Sequence, residues 1–489
     1  MSTDEKAVIN TESTTQRHPS DAPSRSTPVQ RWTLGLASIA SFVVVLDLLV
    51  VATALTSIRR DLGATVGQLE WTVNAYTLSF AVLLITAAAL GDRFGRRRGF
   101  AFGLALFGIA SAACALAPDV GWLIAARAVQ GAGAAAIMPL ALALMNGVFP
   151  PERRGWAAGI YASVTGLAAL LGPVVGGAVT EGISWEWIFW INVPIALLAI
   201  PLVLTRIDEV FGAPAKIDLL GVVLVSAAAL CIVWALVRAS ATGWGSAQVV
   251  VPLLAGVVLA IAFVVVELRV AAPMLPMRLF HARDFSAGNA VIFFLNAALT
   301  GAVFFTAQFL QAAQNYSPLS AGLRLLPWGV TPFLVAPKAG KLVDRYGGRP
   351  LILTGLLLQT AGMAWMAAVA SAGVNYVELA VPMTISGIGF SIALPAVTRT
   401  VVGSVAPVDM GKASGTFTML RQLGGAFGVA ILAAAFTGSG GYDTATAFND
   451  GYVAAMVAAA VLSLVGAAGA VALASRGTVI EGAPSEATT

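Results

Sequence analysis

Asp47 is the clearest candidate for chemistry in this chain, because it is an acid inside a long apolar segment, about fourteen residues from the segment's start. Ionisable side chains at membrane depth cost roughly 2.5–3.5 kcal/mol on insertion scales and usually face a cavity or a partner. A carboxylate partly withdrawn from water can exchange a proton near neutral pH. We therefore interpret Asp47 as a proton-carrying group. A structural pair with an arginine and a solvent-flooded position are the alternatives.

The sequence offers no pattern for enzymatic or ATP-driven chemistry. It has no Walker A glycine loop and no His/Cys cluster with metal-ligand spacing. His18 and His281 lie in a tail and a loop, and Cys114 and Cys231 lie in apolar runs. We expect no catalytic residues, no metal, no cofactor apart from protons as coupling ion, and no nucleic-acid partner.

The composition excludes a soluble protein. Of the 489 residues, 58% are hydrophobic and only 11% are charged, whereas soluble domains are about half apolar and about a quarter charged. Lipid must therefore surround most side chains. A helix needs roughly 20 apolar residues to cross a membrane, and the apolar runs here are continuous rather than alternating. They predict an all-α integral membrane protein.

Fourteen spans are expected, numbered here in chain order. Their predicted ranges are 33–57, 71–91, 99–118, 121–149, 155–181, 187–205, 217–238, 248–269, 286–311, 321–343, 349–371, 376–404, 411–437 and 448–475. The polar residues 1–31 and 476–489 are interpreted as tails, the first of them disordered.

The loop charges predict the orientation. Lysines and arginines such as Arg93, Arg153 and Arg206 fall on one side, and the opposite loops hold essentially Arg59 and Arg60. The positive-inside rule then places both termini in the cytoplasm. A multi-pass protein of the cell (inner) membrane is expected.

One short pattern, L-x-D-R-[FY]-G-x-R, occurs twice. It follows span 2 as residues 90–97 and span 10 as residues 342–349. Two six-helix halves separated by two extra helices explain the offset of eight spans, because internal repeats are common in transporters. The expected domains are residues 32–206, an insertion at 207–270, and residues 271–475.

Several motifs resemble the major facilitator superfamily, and within it the 14-span drug:proton antiporters. The repeated loop resembles the superfamily's G-x-L-x-D-R-x-G-R-R signature, span 4 its R-x-x-Q-G-x-G, and span 5 the antiporter G-P-x-x-G-G. The segment that begins at Ser184 resembles S-W-R-W-I-F…N-V-P, with Glu186 in place of Arg. The first span keeps Asp47 but lacks the family's Thr, Asn and Pro. Span 13 carries Arg421 and no acid, which disfavours doubly charged substrates.

The resemblance implies roles for residues in these motifs. It implies that Arg127 takes part in proton transfer, through Asp47 or a nearby water. A structural role, with Gln130 orienting the guanidinium, is the alternative. The loop motifs and the span 5 motif are expected to govern conformational change, the latter as a close helix contact that seals the resting cavity or as ordinary tight packing. These motif residues are Asp92, Arg93, Gly95, Arg96, Gly172, Pro173, Gly176, Gly177, Asp344 and Arg345.

Aromatic and polar side chains could form a substrate surface, since exporters of amphipathic compounds use apolar walls with a few polar groups. Packing against lipid or a neighbouring helix is the alternative. The candidates are Trp71, Asn74, Tyr76, Phe305, Gln308, Phe309, Trp328 and Arg421.

The expected function is proton-coupled export of small lipophilic or cationic compounds, as in multidrug or antibiotic efflux, by alternating access and as a monomer. The expected partners are a small-molecule substrate, protons and membrane lipid. Transport of a specific metabolite, inward or outward, and a non-transporting receptor on the same fold are the alternatives.

Overall fold

A computed structural model describes residues 26–212, 218–270, 273–371, 373–406 and 409–473, without the side chains at positions 151, 240, 241, 341 and 344. Most of the two predicted tails therefore lies outside the described residues. The described part is helical and contains no strand. It confirms the expected all-α architecture, with two six-helix bundles and two extra helices.

Fourteen helical spans are present in the described residues. In chain order they are Pro28–Leu62, Val66–Phe94, Arg96–Ala115, Val120–Val148, Pro151–Gly182, the broken pair Trp187–Trp190 and Asn192–Arg206, Leu219–Thr242, Ala247–Glu267, Arg283–Ala312, the broken pair Pro318–Arg324 and Leu326–Tyr346, Gly348–Val369, Tyr376–Gly403, Met410–Ser439 and Ala445–Val471. A short 3-10 helix, Met277–His281, precedes span 9.

Spans 1 and 2 are longer than the apolar runs that predict them. Span 1 begins at Pro28 because Thr27 and Gln30 form a capping box, and it ends at Gly63 with a left-handed φ of 62°. Span 2 begins at Val66 after a second capping box, built by Thr65 and Gln68. These polar caps extend the helices beyond the apolar core, so residues 28–31, expected in the tail, are helical.

The helices pack as two bundles. In the first, span 1 packs against spans 4, 5 and 6, span 2 against span 4, and span 3 against spans 4 and 6. In the second, span 9 packs against spans 12, 13 and 14, and span 11 against spans 12 and 14. The bundles meet chiefly where span 2 contacts span 13 and span 5 contacts span 10. Spans 7 and 8 pack on each other, and span 7 also lies on spans 2 and 13.

The two sides of the molecule are named here from the repeated loop. The motif side carries the ends of spans 2 and 10, where the chain turns at Gly95 with φ 109° and at Gly347 with φ 83°. The far side carries the opposite ends of these spans. Glycine suits both turns because it adopts positive φ without steric cost.

Candidate functional site

Asp47 lies at the centre of a polar cluster inside the first bundle. Its Oδ2 accepts a hydrogen bond of 2.5 Å from Nη1 of Arg127. Its Oδ1 accepts hydrogen bonds of 2.8 Å from the side-chain amides of Gln130 and Asn192. Spans 1, 4 and 6 therefore supply one acid and three donors to a single point, which we call the Asp47 centre.

Arg127 is held on several sides. Its Nε donates to the carbonyl of Thr72 at 3.1 Å, and its Nη1 also donates to Oε1 of Gln130 at 2.7 Å. The guanidinium carbon lies 4.2 Å from the centroid of the Tyr76 ring, within range of a cation–π contact. Nη2 has no hydrogen-bond partner in the described residues. The sequence candidates Asp47, Arg127, Gln130 and Tyr76 thus come together here.

One further residue completes the cluster. Ser111 of span 3 accepts hydrogen bonds from Gln130 at 2.8 Å and from Asn192 at 3.3 Å. Neither Ser111 nor Asn192 was selected as a site residue from the sequence, although Asn192 belongs to the quoted N-V-P pattern. The signal in the sequence was a polar side chain within an apolar span. This signal does not distinguish Ser111 from serines that have only a structural role.

The Asp47 centre is sealed in this conformation. The Asp47 and Arg127 side chains are both 0% exposed. The single negative and single positive charge compensate each other, which makes their burial tolerable. A proton arriving on Oδ2 would compete with Arg127 for the same oxygen. The arrangement can therefore couple protonation to the release of a helix-to-helix contact, once a route to solvent opens.

The first copy of the repeated loop ties the motif-side ends of several spans together. Asp92 accepts a 2.6 Å hydrogen bond from Nε of Arg96 in an ion pair, and Nη1 of Arg96 donates to the carbonyl of Ala143 at 3.2 Å. Glu209, which was not predicted from the sequence, accepts the backbone N–H of Arg97 at 2.8 Å. The loop thus links spans 2, 3 and 4 to the segment after span 6.

Arg93 and Arg345 each lie over the ring of the following residue. The Arg93 guanidinium lies over the ring of Phe94 at 5.3 Å, and that of Arg345 over Tyr346 at 5.2 Å. The Asp344 side chain is outside the described part of the chain.

The span 5 motif makes two different contacts. A Cβ added to Gly172 would lie 2.7 Å from Cβ of Leu49, and one added to Gly176 would lie 2.6 Å from the Val50 carbonyl, both in span 1. Gly177 faces the other bundle instead, where a Cβ would lie 2.7 Å from Cα of Leu319 and collide with the backbone before it. The motif therefore packs span 5 within its own bundle and also across to span 10.

Spans 5 and 10 diverge from the far side to the motif side. At the far side, a Cβ added to Gly322 would collide with the Pro173 carbonyl. Further along, a Cβ added to Gly166 would lie 3.5 Å from the Phe333 side chain. A Cβ added to Gly159 or to Gly155 would have no neighbouring atom of the described residues within 4 Å. On this pair of helices the bundles are thus in contact at the far side and apart at the motif side.

A cluster of polar contacts also joins the bundles at the far side. Gln311 of span 9 donates to the Thr53 carbonyl of span 1 at 3.1 Å. Arg59 lies over the Tyr442 ring at 4.2 Å, and the Tyr442 hydroxyl donates to Oε1 of Gln308. Burial raises the pKa of the Tyr442 phenol, so the hydroxyl keeps the proton that this hydrogen bond requires. We call these five residues the far-side latch.

Comparison with known proteins identifies the chain. The family model described as Major Facilitator Superfamily matches residues 37–288 and 289–487. The chain belongs to this superfamily. It is therefore a multi-pass membrane transporter and not an enzyme, as the sequence predicted.

Several curated relatives of this superfamily member are resistance or export proteins. It is 37% identical to the puromycin resistance protein of Streptomyces alboniger, over 84% of this chain and 83% of the relative. It is 36% identical to the cephamycin export protein of Amycolatopsis lactamdurans, over 88% and 90%. It is 35% identical to the tetracenomycin C resistance and export protein of Streptomyces glaucescens, over 82% and 74%.

Solved superfamily structures share the fold at low identity. A bacterial homolog of the human lysosomal transporter Spinster, in an inward-facing and unoccupied conformation, aligns with a TM-score of 0.66 and 17% identity, over 91% of this chain and 97% of that one. A POT family transporter in complex with 5-aminolevulinic acid aligns with the same score and 14% identity, over 88% and 94%.

The expected substrate residues of this superfamily member are mostly packed away from open space. Phe305 stacks on Phe436 with centroids 5.0 Å apart, and Phe309 stacks on Tyr452 at 4.1 Å. Both are fully buried. Trp71 faces the inserted span 7, where it contacts Trp234 at 5.9 Å.

The remaining candidates are divided between the two bundles. Trp328 is 7% exposed beside Gly387. Both polar atoms of the buried Asn74 amide lack a hydrogen-bond partner within the part of the chain that the structure describes. Arg421 is the candidate from the second bundle that keeps part of its surface accessible.

Glu70 is a buried acid that sequence reasoning missed. It lies in the first turns of span 2 and is 1% exposed. Its Oε2 has no hydrogen-bond partner in the described residues, and the residue lies near Tyr442 of the far-side latch. Its position at the end of an apolar run gave no sign in the sequence that tertiary packing would enclose it.

Proposed function

We propose that this transporter exports small lipophilic compounds, including antibiotics, in exchange for protons. Relatives at 35–37% identity that are named for resistance or export support the direction of transport. The observation that carries the proton coupling is the sealed pair of Asp47 and Arg127 in the first bundle. Coupling requires a site that holds a proton in one conformation and loses it in the other, and a buried acid paired with a fixed cation meets this requirement.

In the proposed cycle, the conformation described here opens toward the cytoplasm. The motif side carries most of the loop arginines and lysines, so the positive-inside rule assigns it to the cytoplasm together with both termini. Substrate enters between spans 5 and 10, where the bundles separate. Closure of the motif side and release of the far-side latch then expose the cavity to the outside, as in alternating access.

The proton moves in the opposite direction. In the outward-open conformation Asp47 accepts a proton from outside, which neutralises the carboxylate and displaces the Arg127 hydrogen bond from Oδ2. In the return to the present conformation Arg127 pairs with Asp47 again, and the proton leaves on the cytoplasmic side. Gln130 and Asn192 keep Oδ1 in place throughout, because their amides donate to the neutral and the charged acid alike.

We also propose a location, an oligomeric state and domain limits. A cell membrane placement follows from the role in efflux. A monomer is sufficient, because both bundles and every residue of the Asp47 centre belong to one chain. The bundles comprise residues 32–206 and 271–475, and residues 207–270 form the insertion.

The test is dye efflux from inverted vesicles under an imposed pH gradient, with wild type, Asp47→Asn and Asp61→Asn. Asp61 is an exposed acid near the end of the same helix, so it is a matched control. We expect gradient-driven transport in wild type and in Asp61→Asn, and loss of the gradient dependence in Asp47→Asn. Efflux that persists after collapse of the gradient would contradict proton coupling. Unchanged coupling in Asp47→Asn would remove the assignment to this residue.

A further inference from the structure

Arg421 is a membrane-depth cation that has no counter-ion among the described residues. It lies near the middle of span 13, Met410–Ser439. No acid of the described residues forms an ion pair with it, and its buried Nε has no hydrogen-bond partner. Its backbone carbonyl is occupied by a 2.8 Å hydrogen bond from Asn296. Arg127, by contrast, forms an ion pair with Asp47.

The surroundings of Arg421 indicate an internal space rather than lipid. The Nε atom of the guanidinium is buried, while the residue as a whole keeps partial accessibility. Ser414, Thr418 and Arg421 follow one another at helical spacing of four and three, so they share one face of span 13. Ser414 is exposed and Thr418 is partly exposed. Gly415, next to Ser414, lies against Ile85 of span 2, and Gly425 lies against Asn296 of span 9, so this face lies between one helix of each bundle.

The neighbouring side chains add hydrogen-bonding capacity without negative charge. Asn296 and Thr300 of span 9 lie beside Gly425, one turn beyond Arg421, at 3.1 and 3.3 Å from where its Cβ would be. The buried acids of the first bundle, Asp47 and Glu70, are enclosed at 1% exposure each. The face of span 13 therefore presents an uncompensated positive charge beside neutral polar groups.

An unpaired charge in this environment is expensive unless an anion compensates it. A guanidinium is always charged, and its planar donors match a carboxylate or sulfonate in a two-point contact. We propose that Arg421 binds the anionic group of the exported compound, so that the transported class is lipophilic monoanions. This inference rests on the proposed function and narrows the lipophilic or cationic class expected from the sequence.

The proposal makes a specific distinction between two fluorescent probes. Anilinonaphthalene sulfonate and N-phenyl-naphthylamine share an apolar ring system and differ by the sulfonate. The full chain would be placed in phosphatidylcholine nanodiscs, so that no anionic lipid headgroup competes. Binding of each probe would be measured with wild type, Arg421→Gln, Arg421→Lys and the control Arg238→Gln. Arg238 lies on span 7 over Trp234, away from the space between the bundles.

We expect Arg421→Gln to weaken sulfonate binding at least tenfold and to leave the neutral probe within twofold. Arg421→Lys should recover part of the loss, and Arg238→Gln should bind both probes as wild type does. Sulfonate binding within twofold of wild type in Arg421→Gln would overturn the proposal. So would a loss seen only when phosphatidylglycerol is present, because the occupant would then be a lipid headgroup.

Export assays separate this proposal from the proposed function. If wild type exports the neutral probe and not the sulfonate, the proposal that Arg421 binds an anion is wrong and the proposed export function is supported. If inverted vesicles transport neither probe while purified protein binds the sulfonate through Arg421, the anion site is supported and the proposed export function is contradicted.

Discussion

Asp47 and Arg127 are 80 positions apart in the chain, yet a 2.5 Å hydrogen bond joins them at a place that solvent does not reach. Breaking a buried pair by removing one partner typically costs ~3–5 kcal/mol. The two partners are not equivalent, however. Asp47 can become neutral by taking a proton, whereas Arg127 stays charged in every conformation.

This asymmetry predicts the stabilities of two variants. Asp47→Asn leaves a permanent, uncompensated guanidinium and should lower the Tm of the purified protein more than Arg127→Gln does. The Tm of the double variant should fall by less than the sum of the two single decreases, because neither charge remains. Thermal unfolding of the four proteins in one detergent measures this. Equal losses for the single variants, or strict additivity, would contradict the described pairing.

The contact of Gly177 with span 10 predicts a conformational effect. Gly177→Val should push spans 5 and 10 apart at the far side, because its side chain would collide with the Pro318–Leu319 backbone. The change can be measured as a longer distance between spin labels at exposed positions 61 and 446, at the far-side ends of spans 1 and 14.

The control for this prediction is Gly159→Val, in the part of the same helix where no atom lies within 4 Å of the added Cβ. It should leave the label distance unchanged. An identical distance distribution in wild type and Gly177→Val would show that this glycine does not hold the far side closed.

The far-side latch predicts a graded response at Tyr442. Tyr442→Phe removes the hydrogen bond to Gln308, worth about 0.5–1.5 kcal/mol, and keeps the ring under Arg59. Tyr442→Ala removes both contacts. We expect thiol labelling of a cysteine introduced at Thr56, beside the latch in a cavity of about 430 Å³, to accelerate slightly in the first variant and strongly in the second. Equal labelling rates in all three proteins would exclude Tyr442 from the latch.

The sequence predicts the number of spans well, because lipid imposes a simple requirement of length and apolarity. It predicts their ends less well. Span 10 was expected as one run over 321–343 and is two helices joined at Leu325. Pro327 explains part of the break, since proline lacks the backbone donor that a continuous helix uses.

The candidate site was only partly predictable. Asp47 stands out because one charge in an apolar run is rare, and an arginine partner was among the alternatives considered. Ser111, Asn192 and Glu70 were not found, because their significance depends on which helices meet. The aromatic residues Phe305 and Phe309 illustrate the reverse case. Their types suggest a binding surface, and tertiary packing places them in an aromatic cluster on the far side.

The central claim is that Asp47 carries the coupling proton, and proton movement driven by substrate tests it most directly. An exported compound would be added outside inverted vesicles that have an acidic interior, and a pH indicator inside would follow the gradient. We predict that the compound speeds the loss of the gradient with wild type and with Asp61→Asn, and that it has no such effect with Asp47→Asn. An undiminished effect with Asp47→Asn would contradict the claim.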